Sequence, residues 1–215
     1  FLHLTNPELM SGEHTARYYQ HPVFLGPSTI EKSLWAMLCA FAKALISKHA
    51  FWWFDMWGGW DNSPEMMSLV KRAREWYVDY LQTPTRKISE LAVLIDQDAS
   101  YFVSEKYYRK MSHDQLVELG FVGAPYDIYL ANDLENLDKT RYKTLLQILP
   151  SRIKERVNIL QNHSFEQSKN SLFSAQEITS ALRKVGTHVF SEGNIVYANS
   201  RFVCLTAVKG GDITL

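Results

Sequence analysis

The sequence predicts an α/β protein whose strands run parallel. The near-continuous apolar run ELAVLIDQ, beginning at Glu90, has the length and composition of a strand that is buried on both faces. Helical sequence separates it from PYDIYLAND, which begins at Pro125 and is predicted to be a second strand, and YKTLLQIL, from Tyr142, is predicted to be a third. Strands joined in this way form parallel βαβ units with right-handed crossovers.

Local start signals place the elements of the first third of the chain. One short strand is predicted at Phe1–Leu4, within an otherwise irregular segment. STIE, at Ser28–Glu31, is a capping box that starts a helix running to about Lys48. Phe51–Asp55 is predicted to be a short buried strand ended by two glycines. Ser63, followed by Pro64 at the first helical position, starts the next helix.

The last half of the chain carries further start and turn signals. Helical sequence covers about Ser100–Leu119 and is predicted to break where SHDQ, from Ser112, forms a capping box. Ser174 and Glu177 form another capping box and start a helix. The alternating sequence on both sides of Glu192–Asn194 predicts a hairpin with its turn at those residues.

The composition excludes several classes of function. The 215 residues carry 23 Lys and Arg against 23 Asp and Glu, whereas a nucleic-acid partner requires a basic surface. No run of 18 apolar residues occurs, so no membrane partner is predicted. Cys39 and Cys204 are predicted to be reduced thiols of a cytoplasmic protein, with a disulfide as the alternative. No nucleotide-binding, metalloprotease or CxxC motif is present, and no cofactor or metal is predicted.

The segment FWWFDMWGGW concentrates four Trp, two Phe and one carboxylate in ten residues. Sugar rings stack their apolar C–H faces on Trp, and their hydroxyls need carboxylate partners, so this composition is typical of a carbohydrate site. The candidate binding residues are Trp53, Asp55, Trp57 and Trp60. Large aromatic side chains also supply much of the burial in protein cores, and core packing under a domain interface is the alternative. The residues alone do not decide between the two.

Glu13 is a candidate catalytic carboxylate. It follows Gly12 in a loop after the first predicted strand, and (β/α)₈ enzymes keep their active sites at the carboxyl ends of barrel strands. The order of strand, loop with Glu13, helix and strand with Asp55 fits the last two βα units of such a barrel. The alternative is an ordinary surface carboxylate. His14 and His21 lie nearby, but their spacing fits no zinc pattern.

Three segments resemble glycoside hydrolases of the family 42 β-galactosidase type, over most of residues 10–149 and 174–215. FWWFDMWGGW followed by SPEMM resembles the eighth strand of their catalytic barrel. GAPYDIYLANDLE resembles their next domain, a flavodoxin-like lobe similar to glutamine amidotransferases, which mediates trimerisation in that family. GTHVFSEGNIVYANSRFVCLTAV resembles the segment that closes such chains.

The resemblance implies a domain order. Residues 1–82 are expected to form the end of a (β/α)₈ barrel, residues 83–186 a flavodoxin-like parallel-sheet lobe, and residues 187–215 a short C-terminal β hairpin. We expect the lobe to be shortened, because the polar stretch NHSFEQSKN stands where the resemblance implies further strands.

The resemblance also implies a retaining mechanism, in which two carboxyl groups lie about 5–5.5 Å apart. SGEHTARYY stands where the motif of the seventh strand falls, which makes Glu13 the candidate nucleophile. The acid/base glutamate, on the fourth strand, is expected ahead of Phe1. One carboxylate cannot perform both roles, so the chain alone is predicted to be inactive and to serve in oligomerisation or in carbohydrate binding. The predicted partner is a further copy of the chain, in a homo-oligomer for which the resemblance implies a trimer.

Two other functions stay open at this point. The chain is an active glycosidase, acting on a galactoside-class carbohydrate, if an upstream half or several subunits complete the barrel. It is a non-catalytic α/β binding module if its aromatic strand is only core.

Overall fold

The computed structural model describes residues 2–3, 29–51, 63–148, 164–166 and 172–208. Its contacts divide the chain into two compact units, Phe1–Arg86 with Asn199–Cys204, and Lys87–Ala198 with Leu205–Leu215. The mixed α/β class is confirmed. The domain boundaries predicted at residues 82–83 and 186–187 stay predictions.

In the first unit, two short strands pair with each other in parallel, and a helix lies between them in the sequence. The elements follow in the order β1 (Leu2–His3), α1 (Ile30–Ile46), β2 (Ala50–Phe51) and α2 (Pro64–Leu81). Leu2 pairs with Ala50, and His3 pairs with Phe51. β1 lies within the predicted first strand. β2 reaches the start of the predicted aromatic strand, whose other residues lie outside the described part of the chain.

Hydroxyl groups cap the starts of both helices. Thr29 Oγ1 accepts a hydrogen bond from the Lys32 N–H at 3.3 Å, so Thr29 is the N-cap of α1, where the sequence predicts Ser28. Ser63 Oγ accepts from the Met66 N–H at 3.2 Å, and Pro64 occupies the first position of α2, as predicted. A cap of this kind contributes about 1 kcal/mol, because it satisfies an N–H that has no partner inside the helix.

The core of the first unit lies between the two helices. Its buried side chains recur three, four or seven positions apart and include Met37, Phe41, Leu45, Met66, Leu69, Ala73 and Tyr80. The Asn199 side-chain amide donates to the Ile46 carbonyl and to the Tyr80 hydroxyl, both at 3.1 Å. The segment Asn199–Cys204 is therefore fastened to the ends of both helices.

The second unit is built on a four-stranded parallel sheet. β3 (Leu91–Ile95), β4 (Tyr126–Leu130), β5 (Thr144–Ile148) and β6 (Ser164–Glu166) lie in the order β4-β3-β5-β6. The first three strands lie where the sequence predicts them. β6 lies in the polar stretch NHSFEQSKN, where the sequence predicts no strand, because three residues are too few to show a pattern.

A helical segment connects β3 to β4. α3 (Glu105–Arg109) passes through a π-helical turn (Lys110–Asp114) into α4 (Gln115–Gly120). The α-helix is therefore interrupted near the predicted break, but by a π-helical turn, and the predicted capping box at Ser112 is wrong. The Ser112 hydroxyl donates to the Tyr108 carbonyl at 2.7 Å, so it continues the helical bonding instead of starting a new helix.

α5 (Ala175–Lys184) begins at the predicted capping box. Ser174 Oγ accepts from the Glu177 N–H at 3.2 Å, and the Glu177 carboxylate accepts from the Ser174 N–H at 2.8 Å. The hydrogen bonds from the Ser174 N–H and hydroxyl lower the pKa of Glu177. Both groups of the box are thus satisfied reciprocally.

The core of the second unit has a layer on each face of the sheet. Leu91 and Val93 point to the face that carries α3–α5. Ala92 and Leu94 point to the opposite face, which is covered by the 3₁₀ segment Ala131–Asn136 and by Tyr142. This alternation explains why the apolar run is almost continuous.

The C-terminal hairpin forms, but its turn lies later than predicted. β7 (Ile195–Ala198) and β8 (Val203–Thr206) are the antiparallel pair. Residues 187–191 form no strand, because the N–H groups of Phe190 and Ser191 donate to the Gly123 carbonyl, at 2.8 and 3.2 Å. The true turn is fixed by Asn199 Oδ1, which accepts from the Arg201 and Phe202 N–H groups at 2.9 Å each.

The buried side-chain amide of Gln147 is a position where a substitution is expected to stabilise the chain. The side chain of Gln147 in β5 is fully buried, and within the described part of the chain neither its Nε2 nor its Oε1 has a hydrogen-bond partner. Unpaired buried polar groups cost about 1–3 kcal/mol. We expect Gln147→Met, which keeps the length of the side chain, to raise the free energy of unfolding in urea by about 1 kcal/mol.

Gln115 supplies the matched control. It is equally buried, but its Nε2 donates to the Phe173 carbonyl and its Oε1 accepts from the Phe173 N–H, both at 2.9 Å. Gln115→Met should therefore lower the unfolding free energy, by about 2 kcal/mol. A similar loss in both variants would show that Gln147 makes hydrogen bonds in solution.

Candidate functional site

The site residues predicted from the sequence lie outside the described residues. These are the candidate nucleophile Glu13 and the candidate carbohydrate-binding residues Trp53, Asp55, Trp57 and Trp60. All five assignments stay predictions.

Of the aromatic segment FWWFDMWGGW, the structure describes only Phe51. Its ring packs edge-on against Phe41, with the ring centroids 5.6 Å apart. Phe51 also contacts both apolar clusters between α1 and α2. The first residue of the segment therefore belongs to the core of the first unit.

In the second unit, a network of polar side chains surrounds Asp127 on β4. We call it the Asp127 cluster, and its members are Lys87, Asp127, Tyr129, Arg141 and Tyr142. Asp127 Oδ2 accepts from Arg141 Nη2 at 2.9 Å and from the Tyr142 hydroxyl at 2.7 Å. Its Oδ1 lies 3.0 Å from Lys87 Nζ. The Asp127 side chain is only 12% exposed, so these three donors replace most of its hydration.

Local structure explains why these side chains meet. Asp127 and Tyr129 are two residues apart in a strand, so both point to the same face of the sheet. A 3₁₀ turn (Lys139–Arg141) delivers Arg141 and Tyr142 to that face, and Asp138 caps the turn by accepting from the Thr140 N–H at 3.1 Å. The cluster therefore ties the segment before β5 to the outer strand.

The hydrogen bonds of the cluster have a defined direction. Tyr142 donates its proton to Asp127, so the Tyr129 hydroxyl, 2.6 Å from that of Tyr142, is the donor to Tyr142. Burial, these hydrogen bonds and the negative charge of Asp127 raise the pKa of Tyr142 well above its usual range. Tyr142 is therefore a fixed donor and not a base, and the cluster is suited to clamping rather than to proton transfer.

The carboxyl edge of the sheet is the usual ligand site of parallel α/β proteins, at the point where the strand order reverses. In this sheet the reversal lies between β3 and β5. Asp96, directly after β3, is 3% exposed, and its Oδ1 accepts from the Asp98 N–H at 3.0 Å. Its backbone N–H donates to the Ile148 carbonyl at 3.3 Å. Asp96 thus closes the turn after β3, and the residues after β5 lie outside the described ranges.

Comparison with known proteins gives no relative: no protein-family model, curated protein or solved structure matches the chain. Among the described residues, no helix is long and apolar enough to cross a membrane. Over the same ranges, no group of three or more His, Cys, Asp and Glu side chains is placed to hold a metal ion.

Sequence reasoning missed the Asp127 cluster. The alternation in YDIYL does place Asp127 and Tyr129 on one face. Nothing in the local pattern shows that Arg141 and Tyr142, fourteen and fifteen residues away, return to that face. The useful signal was the polar side chain itself, because a carboxylate in a strand of a parallel sheet requires a charged or hydrogen-bonding partner.

Proposed function

We propose that the chain is the C-terminal portion of a β-galactosidase-like retaining glycoside hydrolase, is inactive alone, and serves in oligomerisation or carbohydrate binding. The proposal includes the finer fold: β1 to α2 as the last βα units of a (β/α)₈ barrel, and the four-stranded sheet as a flavodoxin-like lobe. It rests on the resemblance of the sequence together with the strand order.

The strand order carries most of the support. Counted from the first strand of the sheet, the order β4-β3-β5-β6 is 2-1-3-4, with all strands parallel. Flavodoxin-like sheets have the order 2-1-3-4-5, so the four strands match the beginning of that pattern. The resemblance of GAPYDIYLANDLE to such a lobe concerns the same region, since this segment contains β4.

The first unit agrees with the barrel part of the proposal. β1, α1 and β2 form one parallel βαβ unit, and α2 follows as the helix of the next. A barrel of this type requires eight strands, and the retaining reaction requires two carboxyl groups. The resemblance supplies a match for one of these carboxyls, Glu13, which is why we propose that the chain alone is inactive.

Exposed apolar side chains support association. On α2, Met67, Val78 and Leu81 are 46%, 47% and 62% exposed, and their spacing of 11 and 3 residues places them on one side of the helix. On the outer strand β4, Ile128 and Leu130 are 48% and 43% exposed. Apolar side chains grouped in this way on a protein surface mark interaction sites, and edge strands are open to further pairing.

The proposal predicts an oligomer without activity. We expect no release of nitrophenol from a nitrophenyl β-galactoside. In sedimentation velocity we expect a species larger than the 24.9 kDa monomer. Hydrolysis that disappears in Glu13→Gln would overturn the inactive assignment and favour an enzyme completed by several subunits. A monomer at millimolar concentration would contradict the oligomer role.

Two charge substitutions locate the contact. Leu81→Lys changes the exposed stripe of α2, and Ile128→Lys changes the outer strand β4. Since both side chains are largely exposed, neither substitution should unfold its unit. The variant that sediments as a monomer identifies the unit that carries the contact. If neither variant changes the sedimentation coefficient, these apolar side chains do not form it.

A further inference from the structure

A pocket of about 230 Å³ opens at the amino-terminal edge of the sheet, in the second unit. Its walls come from the residues just before β3, β4 and β5 and from the loop that follows α5. This edge lies opposite the carboxyl ends of the strands, and none of the catalytic or carbohydrate-binding residues predicted from the sequence lines it. Its volume is below the 300–1,000 Å³ of typical drug-sized sites, so it suits a single small ring.

One part of the wall is apolar. It is made by Ile88, Pro125 and the ring of Phe190. The His188 ring also lines the pocket and packs edge-on against Phe190, with the ring centroids 4.4 Å apart. These groups offer a ligand a surface for C–H contacts but few hydrogen bonds.

The other part of the wall is an ion pair. Lys143 Nζ lies 2.8 Å from Glu90 Oε1 and donates to the Gly186 carbonyl at 2.9 Å. An ammonium group has three N–H donors and a carboxylate has two acceptor oxygens. Within the described part of the chain, one ammonium hydrogen and Glu90 Oε2 therefore keep free bonding capacity. Both side chains are partly exposed, 42% for Lys143 and 31% for Glu90.

The net charge of the Lys143–Glu90 pair and the closeness of its donor and acceptor determine which ligand fits the pocket. The pair is neutral overall, so the pocket attracts neither anions nor cations strongly. The free ammonium hydrogen and the free carboxylate oxygen belong to two groups already paired at 2.8 Å, from Nζ to Oε1, so they are neighbours on the wall. They match two adjacent hydroxyl groups, because one hydroxyl can donate to Glu90 while the other accepts from Lys143.

We propose that this pocket binds a small uncharged ring with adjacent hydroxyl groups, a monosaccharide or a cyclic polyol. The C–H face of the ring lies against Phe190, Pro125 and Ile88, and a vicinal diol bridges Lys143 and Glu90. The site uses none of the residues of the aromatic segment, to which the proposed function assigns carbohydrate. Its test and the sedimentation test can therefore fail independently.

The test is a titration of the ¹⁵N-labelled chain, followed by amide ¹H–¹⁵N spectra. Galactose and myo-inositol are the probes, and sodium phosphate is the charged comparison. We expect either ring to shift the amides of Gly186, Thr187 and Phe190 with a Kd of about 1–10 mM, the range of a small shallow site. The probe with the lower Kd shows whether the pocket prefers a monosaccharide or a cyclic polyol.

Matched variants test the assignment. Lys143→Met should raise the Kd at least tenfold, and Phe190→Leu, which keeps the pocket apolar but removes the ring, should also raise it. Lys184→Met should not, because Lys184 is exposed at the end of α5 and does not line the pocket. Retained dispersion of the β3–β5 amides confirms that each variant folds.

Three outcomes would overturn the proposal. One is the absence of shifts at these amides with both rings at 50 mM, a concentration well above the expected Kd. The second is a Kd that Lys143→Met and Phe190→Leu both leave unchanged. The third is saturation by phosphate at lower concentration than by either ring, which would identify an anion site.

Discussion

Replacing Gly123 with Ala is expected to lower the unfolding free energy of the second unit by about 4 kcal/mol or more. Single substitutions reach a loss of this size only through a few structural causes. Gly123 has φ of +73°, in the left-handed region that favours glycine. A Cβ at this position would lie 1.9 Å from the Ser191 carbonyl oxygen and 2.3 Å from its carbon. Both atoms belong to the backbone, so the clash cannot be relieved by rotating a side chain.

The same contact organises the loop before β7. The Gly123 carbonyl accepts from the Phe190 and Ser191 N–H groups. Moving the loop away to admit a methyl group would therefore weaken two hydrogen bonds as well as the packing. This coupling is why we expect the loss in Gly123→Ala to exceed the cost of an unfavourable φ alone.

Gly186→Ala is the matched control. Gly186 has the same φ of +73°, but a Cβ there meets no atom within 4 Å. Gly186→Ala should therefore lower the unfolding free energy only by the cost of placing Ala at a positive φ, about 1–2 kcal/mol. Equal losses in the two variants would show that the approach of Ser191 to Gly123 relaxes at little cost.

Two spectroscopic signals can assign the loss of stability to one of the two units. All six Trp lie between residues 35 and 76, in the first unit, whereas both glycines lie in the second. Urea unfolding should be followed by far-ultraviolet circular dichroism and by Trp fluorescence. A shift in the first signal without a shift in the second would show that the units unfold separately.

The elements that the sequence predicts correctly are those specified by neighbouring residues. The caps at Ser63 and Ser174 require only a hydroxyl and an N–H three residues later. The strand Leu91–Ile95 is specified by a continuous apolar run, because both of its faces are covered. These signals are local, so one sequence is sufficient to detect them.

The wrong predictions have non-local causes. The segment before Glu192 alternates like a strand, but its N–H groups bond to Gly123, about 70 residues earlier. Ser112 has the sequence of a cap, yet its hydroxyl bonds to Tyr108 within a helix that continues. The Asp127 cluster is of the same kind, since its partners arrive from Lys87 and from the turn before β5. The aromatic segment was predicted as a site instead, because an excess of Trp can be counted in the sequence without any knowledge of contacts.

Removing the carboxylate at the centre of the Asp127 cluster is expected to destabilise the second unit by about 3 kcal/mol. In Asp127→Ala, the Arg141 guanidinium and the Tyr142 hydroxyl lose their shared acceptor, and Lys87 loses its counter-ion. The charge of Arg141 is 29% exposed, so water compensates for only part of the loss. The measurement is the urea midpoint of the circular dichroism signal.

Asp114→Ala is the matched control for the charge change. Asp114 is 52% exposed and pairs with the exposed His113. Exposed pairs contribute little, so we expect a change within about 0.5 kcal/mol. A loss in Asp127→Ala as small as this would mean that solvent replaces the hydrogen bonds of the cluster.

The dependence on pH separates the clamp from simple packing. The raised pKa of Tyr142 means that the folded chain holds this proton more tightly than the unfolded chain does. Its contribution to stability is therefore complete below the ordinary Tyr pKa of about 10 and declines as the pH rises above that value. Tyr142→Phe retains the ring and loses the proton, so the decline of the urea midpoint between pH 9 and pH 11 should be shallower in this variant. Parallel declines in the two proteins would show that the hydrogen bond from Tyr142 to Asp127 does not stabilise the fold.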